Sequence, residues 1–375
     1  MPERMNWHIG RAMPYPYDGA PPAKQVAWVF DINKCIGCQT CSVACKTCWT
    51  SGKGQETTFW NNVESKPYGG YPTGWDLKLL DLLGPAAWNG NRLESPTPFD
   101  DLDELEPPKG FRQGPEDFNQ PNLGEDEISG IIEKGAHFSG VHPMWVFYLA
   151  RICNHCDHPA CLAACPRKAI YKRQEDGVVL VDQERCRGYQ ECIQACPYKK
   201  VFFNVISRIS EKCIACFPRL EQGLVALCVE SCIGKIRLQG FLTTRGAPRE
   251  DNPIDYVAKI RRLALPLYPQ FGTGPNVYYI PPLHVPNGFL EQIFGPGVER
   301  AKELYRNLKN DRKLQGALLL SGTTDRIIER YRVEGDEVVA WDGKGGEVAR
   351  VPFTEPSWVR EAFDARFDAY RHNTT

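Results

Sequence analysis

The cysteines constrain this chain more than any other feature. Fifteen of its sixteen cysteines fall into four tight runs, and residues 49–152 and 233–375 carry none. The first run is Cys35-x2-Cys38-x2-Cys41-x3-Cys45, and the second is Cys153-x2-Cys156-x4-Cys161-x3-Cys165-Pro166. The third is Cys186-x2-Tyr189-x2-Cys192-x3-Cys196-Pro197, and the fourth is Cys213-x2-Cys216-x11-Cys228-x3-Cys232. Disulfide frameworks spread cysteines through short secreted chains; clustering of this kind points to metal. The first run has the bacterial ferredoxin spacing without its terminal proline, and the others are variants of it.

The spacing follows from the chemistry of an iron–sulfur cage. Each iron of a cubane takes one thiolate, and cysteines three apart on a tight loop reach neighbouring irons while the loop's N–H groups face the sulfurs. The last cysteine of each run, expected at the start of a helix, is aimed away and ligates the other cluster of a pair. The second and third runs are separated by AIYKR, a Glu175-Asp176-Gly177 turn and VVLVD, which predicts a β-hairpin between two cluster loops. The first and fourth runs then pair with each other. One expected ligand set is Cys35, Cys38, Cys41 and Cys232, and a second is Cys45, Cys213, Cys216 and Cys228. A third is Cys153, Cys156, Cys161 and Cys196.

The remaining set has only Cys165, Cys186 and Cys192, because Tyr189 stands where a fourth cysteine belongs. Three thiolates fit a 3Fe–4S cluster, which tends toward a higher potential than a 4Fe–4S site. The expected cofactors are therefore three 4Fe–4S clusters and one 3Fe–4S cluster; the alternative at the last site is a fourth iron held by Tyr189 or hydroxide. Structural zinc is the competing reading, but it takes four ligands around one ion, and fifteen cysteines do not divide into such sites without histidine help. His155 and His158 are read as polar loop residues or electrostatic tuners, and Cys48 as a small packed residue near the first loop.

A formal net charge of −1 gives no reason to expect a nucleic-acid partner, and no apolar run is long enough to span a membrane. Residues 1–17 have neither an apolar core nor an arginine pair, so export is expected to depend on a partner. The expected fold class is α+β: two interlocked ferredoxin-like, bacterial two-cluster modules with a loop-rich insertion and a C-terminal helical and β-hairpin extension. Residues 1–24 read as a polar arm, and 25–50 with 205–240 as the first module, entered by the buried strand QVAWVFDI. Residues 51–145 read as the insertion, with its acidic DDLDELE and a docking segment WNNVESKPYGGYP. Residues 146–204 form the second module; VVLVD and KIRLQGFL are assigned to a hairpin core. Residues 241–375 are the docking extension, with one helix at about 288–320 and a small antiparallel appendage from strands near 326–334, 337–341 and 347–352. The stretch ALPLYPQFGTGPNVYYIPP is expected to lie across the cluster domain or a partner. No GxGxxG after a strand, Walker loop, GxSxG or HExxH is present, and no catalytic residue is assigned.

The segments FDINKCIGCQTCSVACK, WNNVESKPYGGYP, RICNHCDHPACLAACPRKAIYKR, VLVDQERCRGYQECIQACPYKK, SEKCIACFPRLEQG and ALPLYPQFGTGPNVYYIPP cover most of residues 25–285. In these the chain resembles the iron–sulfur β subunits of molybdenum enzymes of the nitrate reductase and nitrite oxidoreductase type. Relatives of that type include chlorate, selenate, dimethyl sulfide and ethylbenzene enzymes, and the aromatic at Tyr189 is a hallmark of the family. NWHIGRAMPYPYD, CRGY and CIACFPR look most like the nitrite oxidoreductase and nitrate reductase branch. The resemblance implies a non-catalytic electron-transfer subunit between a molybdopterin-containing α subunit and a haem b γ subunit. The Cys35/Cys232 cluster should face α and the Cys165/Cys186/Cys192 cluster should face the haem subunit. It implies a peripheral place in a membrane-associated complex, on the periplasmic side by co-export with α, or alternatively on the cytoplasmic side. The other functional readings are a polyferredoxin, a cluster subunit of a formate dehydrogenase or hydrogenase, and an enzyme with its own active site.

Overall fold

The strand Lys24–Asp31 has seven of its eight residues buried, as a strand covered on both faces must. It is central in a four-stranded sheet of order Arg237–Thr243, Lys24–Asp31, Val277–Ile280, Leu265–Pro266. Arg237–Thr243 pairs with it antiparallel, Val277–Ile280 parallel, and Leu265–Pro266 antiparallel to Val277–Ile280. Strand alternation divides its side chains between two cores. Val26, Trp28 and Phe30 join the core that contains Cys41, Cys161, Cys192, Cys196, Cys216 and Cys228. Ala27 and Val29 join a second core with Leu314, Ala317, Leu318, Tyr331 and Val338. The sheet is thus the wall between the cysteine-bearing half and the C-terminal half. This is a computed structural model, and it describes residues 3–16, 21–66, 76, 79–80, 83–84, 86–95, 97, 99–100, 146–354, 362–364 and 369–371.

The hairpin between the second and third runs is present: Ile170–Lys172 pairs antiparallel with Val179–Val181. Asp176 Oδ1 accepts from the Val178 N–H at 3.0 Å, and Gly177 takes φ +71°, so the predicted turn closes as its residues dictate.

Several other expectations need correction. KIRLQGFL belongs to no hairpin; it is the strand beside Lys24–Asp31, so its partner is over two hundred residues away in sequence. The N-terminal arm is a hairpin, Glu3–Asn6 with Arg11–Pro14, whose Ile9 and Met13 are fully buried. In WNNVESKPYGGYP, Trp60 is buried and Asn62–Lys66 pairs with Phe147–Arg151, so this part is core; residues 67–72 lie outside the described residues. The acidic DDLDELE lies outside them too, apart from Asp100, which pairs with Arg11 at 2.6 Å. ALPLYPQFGTGPNVYYIPP supplies two strands of the central sheet and lies in this chain's own core. The single helix at 288–320 is three helices, Asn287–Phe294, Val298–Arg306 and Arg312–Leu319. Gly295 at φ +73°, Pro296 and Gly297 at φ +103° end the first; Asp311 caps the third by accepting from the Leu314 N–H at 3.0 Å. The last strands form a three-stranded sheet, Arg330–Glu334, Glu337–Trp341 and Glu347–Pro352, packed into the second core and so no appendage.

Candidate metal centres

The four runs share two local geometries. In Cys35-Ile-Gly-Cys38-Gln-Thr-Cys41 and Cys186-Arg-Gly-Tyr189-Gln-Glu-Cys192, the glycine and the glutamine both have positive φ. Gly37 and Gly188 sit at +68° and +69°, Gln39 and Gln190 at +60° and +63°. A helix opens directly afterwards in both, Thr40–Trp49 and Glu191–Ala195. In the other two runs the left-handed residue before the second cysteine is His155 or Ala215. The first and third runs are thus one type, the second and fourth another. Three runs end alike: Lys168, Lys199 and Lys235 have positive φ, and their N–H groups donate to the carbonyls of Cys165, Cys196 and Cys232 at 3.0, 3.1 and 3.2 Å.

The placement of the last cysteines corrects the sequence reading. Cys41, Cys161, Cys192 and Cys228 each lie inside a helical turn, and the last cysteine of each run lies four residues on, not at a helix start. Residues four apart share a helix face about one turn apart. Cys41 therefore reaches one cavity and Cys45 the next.

Three small cavities receive the cysteines. Cys35, Cys38, Cys41 and Cys232 line the first, and Cys45, Cys213, Cys216 and Cys228 the second. Cys153, Cys156, Cys161 and Cys196 line the third. Cys165, Cys186 and Cys192 form a fourth group: Ser210 N–H donates to Cys186 Sγ at 3.4 Å, and Ser210 Oγ lies 3.4 Å from Cys192 Sγ. Tyr189 is exposed beside it. Among the described residues no three Cys, His, Asp or Glu side chains converge tightly enough to hold one metal ion. The cysteines stand around spaces, as cluster ligands do and zinc ligands do not.

Backbone and side-chain donors face the sulfurs. Ala169 N–H reaches Cys165 Sγ at 3.3 Å, Lys200 N–H reaches Cys196 Sγ at 3.4 Å, and Trp49 Nε1 donates to Cys216 Sγ at 3.2 Å. Such donors stabilise negative charge on the sulfur. Burial raises Cys35 to about 11, Cys45 and Cys228 to about 12, and Cys192 to about 11, burial being the largest cause in each. A metal cluster bound by these cysteines would displace their protons and would supply the countercharge for the buried sulfurs. Thiolate sets of this kind fit iron–sulfur clusters.

The same electrostatics order the sites. Cys228 of the second cavity feels Cys41 of the first, Cys213 of the second feels Cys153 of the third, and Cys192 of the fourth group feels Cys196 of the third. These couplings connect the first group to the second, the second to the third and the third to the fourth.

His155 and His158 lie in loop segments, and both are buried. His155 Nδ1 accepts from the Val179 N–H at 3.0 Å, and burial, aided by Lys212 and Lys172, keeps the imidazole neutral. Cys48 is exposed on the outer face of Thr40–Trp49, where the expectation was a packed residue: its helix buries the Cys41/Cys45 face instead. Arg237, Lys200 and Lys212, which line the cavities, escaped the sequence reading. For Arg237 the reason for its place appears only once the strands are paired. It pairs with Phe30, whose side chain faces the cysteine core, so a cation had to enter that core.

Residues 144–241 match the model of a 4Fe–4S dicluster domain. The chain is 41% identical to the selenate reductase β subunit of Thauera selenatis and to the chlorate reductase β subunit of Ideonella dechloratans, over 83% of this chain and 99% of each relative. It is 35% identical to the respiratory nitrate reductase 1 β chain of Escherichia coli, over 69% of each. The chain belongs to the iron–sulfur β subunits of the type II dimethyl sulfoxide reductase family. It is an electron-transfer β subunit of the nitrate, selenate and chlorate reductase type, with mixed helix and sheet and a ferredoxin-like dicluster domain.

Proposed function

We propose that this β subunit carries three 4Fe–4S clusters and one 3Fe–4S cluster in a line. It passes single electrons between a molybdopterin-containing α subunit and a haem b γ subunit. The ligands are Cys35, Cys38, Cys41 and Cys232; then Cys45, Cys213, Cys216 and Cys228; then Cys153, Cys156, Cys161 and Cys196. The 3Fe–4S cluster takes Cys165, Cys186 and Cys192, with Tyr189 in place of a fourth ligand. One observation carries this reading: each of three cavities is lined by four cysteines drawn from two runs, first with fourth and second with third. The two alternating loop geometries support two interlocked ferredoxin-like modules, each with one loop of either type.

Bound clusters supply one-electron redox chemistry; the protein holds them, excludes water and sets their charge environment. Both ends of the line have exposed apolar side chains. Ile36 and Ile233 are 53% and 66% exposed beside the first cavity, next to the exposed Cys38. Tyr189, Val205 and Ile206 are 62%, 65% and 67% exposed at the fourth group and at the turn of the hairpin behind it. Exposed apolar residues at a redox terminus fit a docking surface. The α subunit docks at the first end and γ at the other. No helix among the described residues is long and apolar enough to cross a membrane; in this reading the complex is attached through γ, on the periplasmic side after co-export with α or alternatively on the cytoplasmic side. Near-equal identity to selenate, chlorate and nitrate relatives suits a subunit that meets no substrate; we assign the complex to the nitrate reductase and nitrite oxidoreductase type.

Iron and sulfide analysis of the anaerobically purified complex tests this. The β subunit should account for about fifteen irons, with a 3Fe–4S signal in electron paramagnetic resonance (EPR) that Tyr189→Cys replaces by a 4Fe–4S signal. Zinc in the sites, or a native protein without the 3Fe–4S signal, would overturn the assignment.

A further inference from the structure

We propose that Arg237 is a positioning residue for electron transfer, whose buried guanidinium holds up the reduction potential of the first cluster and, more weakly, of the second. The proposal rests on the ligand sets given above. Arg237 is 1% exposed and lines the first cavity with Cys35, Cys38, Cys41 and Cys232. Its Nη2 donates to Cys41 Sγ at 2.9 Å and to Asn61 Oδ1 at 3.4 Å, and Asn61 lines the second cavity. The guanidinium lies 4.4 Å from the Phe30 ring centre, which fixes its plane. It therefore stands between the two sites.

Two other buried cations of this core, Arg151 and Lys66, have carboxylate partners, whereas Lys200 and Lys212 at the third cavity donate to Asn62 Oδ1 and to the Val179 and Cys213 carbonyls. Arg151 pairs with Glu64, and Lys66 pairs with Asp76. Arg237 pairs with no carboxylate among the described residues, and its Nε and Nη1 meet no hydrogen-bond acceptor there. An arginine cannot shed its charge, and an unpaired buried charge is strongly destabilising. The neighbours of Arg237 are sulfurs instead: it lines the first cavity with Cys35, Cys38, Cys41 and Cys232, and through Asn61 it borders the second, which Cys228 lines. Those sulfurs belong to the first and second sites, so the countercharge of Arg237 is the cluster pair itself. Reduction makes a cluster more negative by one charge. A fixed cation beside it favours that state and raises the potential, with an effect that decays with distance. The first cluster, hydrogen-bonded through Cys41, feels it most, and the third lies beyond the second.

Potentiometric EPR titration of the intact complex tests this with Arg237→Met, which keeps length and loses charge, and Arg237→Lys, which keeps charge and loses the fork. With iron content measured alongside, Arg237→Met should lower the midpoint potential of the first cluster, shift the second less and leave the Cys153/Cys196 cluster in place. Arg237→Lys should fall between wild type and Arg237→Met. An unchanged first-cluster potential with iron retained, or equal shifts at all clusters, would sink the proposal; so would loss of the first cluster in both variants, which would make Arg237 structural. Cys41→Ser tests the underlying ligand set separately: if it leaves the first cluster's spectrum and potential untouched, the ligand assignment fails whatever Arg237 does.

Discussion

Individual side chains beneath the third cavity show how charge is held in this core. Arg151 is fully buried; it pairs with Glu64 through Nη1 and donates through Nη2 to the Tyr198 carbonyl, and Tyr198 lines that cavity. Lys66 bonds Asp76 at 2.6 Å, and the Tyr268 hydroxyl donates to the same carboxylate at 2.8 Å. Removing one member leaves a buried charge without its partner, at a cost of about 3–5 kcal/mol. Arg151→Met should therefore lower the melting temperature of the complex sharply, whereas Arg332→Met, at an exposed arginine that pairs with Glu334 and lies 5.8 Å from the Trp341 ring centre, should change it little. Burial alone would raise Glu64, but the Arg151 and Lys66 charges outweigh it and hold the carboxyl below its ordinary 4.5. A carboxyl lowered by folding contributes its full stability above the ordinary value and loses it as the pH falls toward the lowered one. Glu64→Gln should thus cost most near neutrality, and the melting-temperature gap to wild type should narrow below about pH 4.5. Sequence pattern made the cysteines legible because their spacing is local. It hid Glu64, Arg151 and Asp76, because they meet only after Asn62–Lys66 pairs with Phe147–Arg151 across a long insertion.

The elements divide along the same line between local and long-range. The Ile170–Lys172/Val179–Val181 hairpin was readable because its turn chemistry lies within it. The partner of Arg237–Thr243 was not, since alternation states that a strand has a buried face but not what lies beside it. The Gly295-Pro296-Gly297 break was in plain view, and apolar periodicity across 288–320 masked it. The loop type shared by the first and third runs makes a sharper prediction. Gly188 sits at φ +69°, and a Cβ there would meet the Arg208 carbonyl oxygen at 2.5 Å, a backbone atom that cannot swing aside. Gly188→Ala should distort the loop between Cys186 and Cys192, so the 3Fe–4S signal is lost or greatly reduced while the other clusters remain. Gly335 also has positive φ, +59°, but nothing lies within 4 Å of its Cβ position. Gly335→Ala should cost only about 1 kcal/mol of backbone strain and leave every cluster signal unchanged.

At the scale of the whole molecule, the pairing of the runs sets the order in which the proposed centres follow one another. The thiol couplings link successive groups: Cys41 to Cys228, Cys213 to Cys153, Cys196 to Cys192. Tunnelling falls steeply with distance, so in a line of centres the loss of an interior one opens the circuit, whereas in a compact cage of centres electrons would go round. Cys216 lines the second cavity and accepts from Trp49 Nε1, and its run contributes nothing to the fourth group. Cys216→Ala should remove or cripple the second cluster and leave the 3Fe–4S signal present. In the complex, electrons supplied at the α end should then no longer reach the 3Fe–4S cluster on the turnover timescale, while a small soluble reductant should still reduce it. Freeze-quench EPR separates the two routes. If the 3Fe–4S cluster of the Cys216→Ala complex were reduced from the α end as fast as in wild type, with the second cluster shown to be absent, the centres could not lie in a single file.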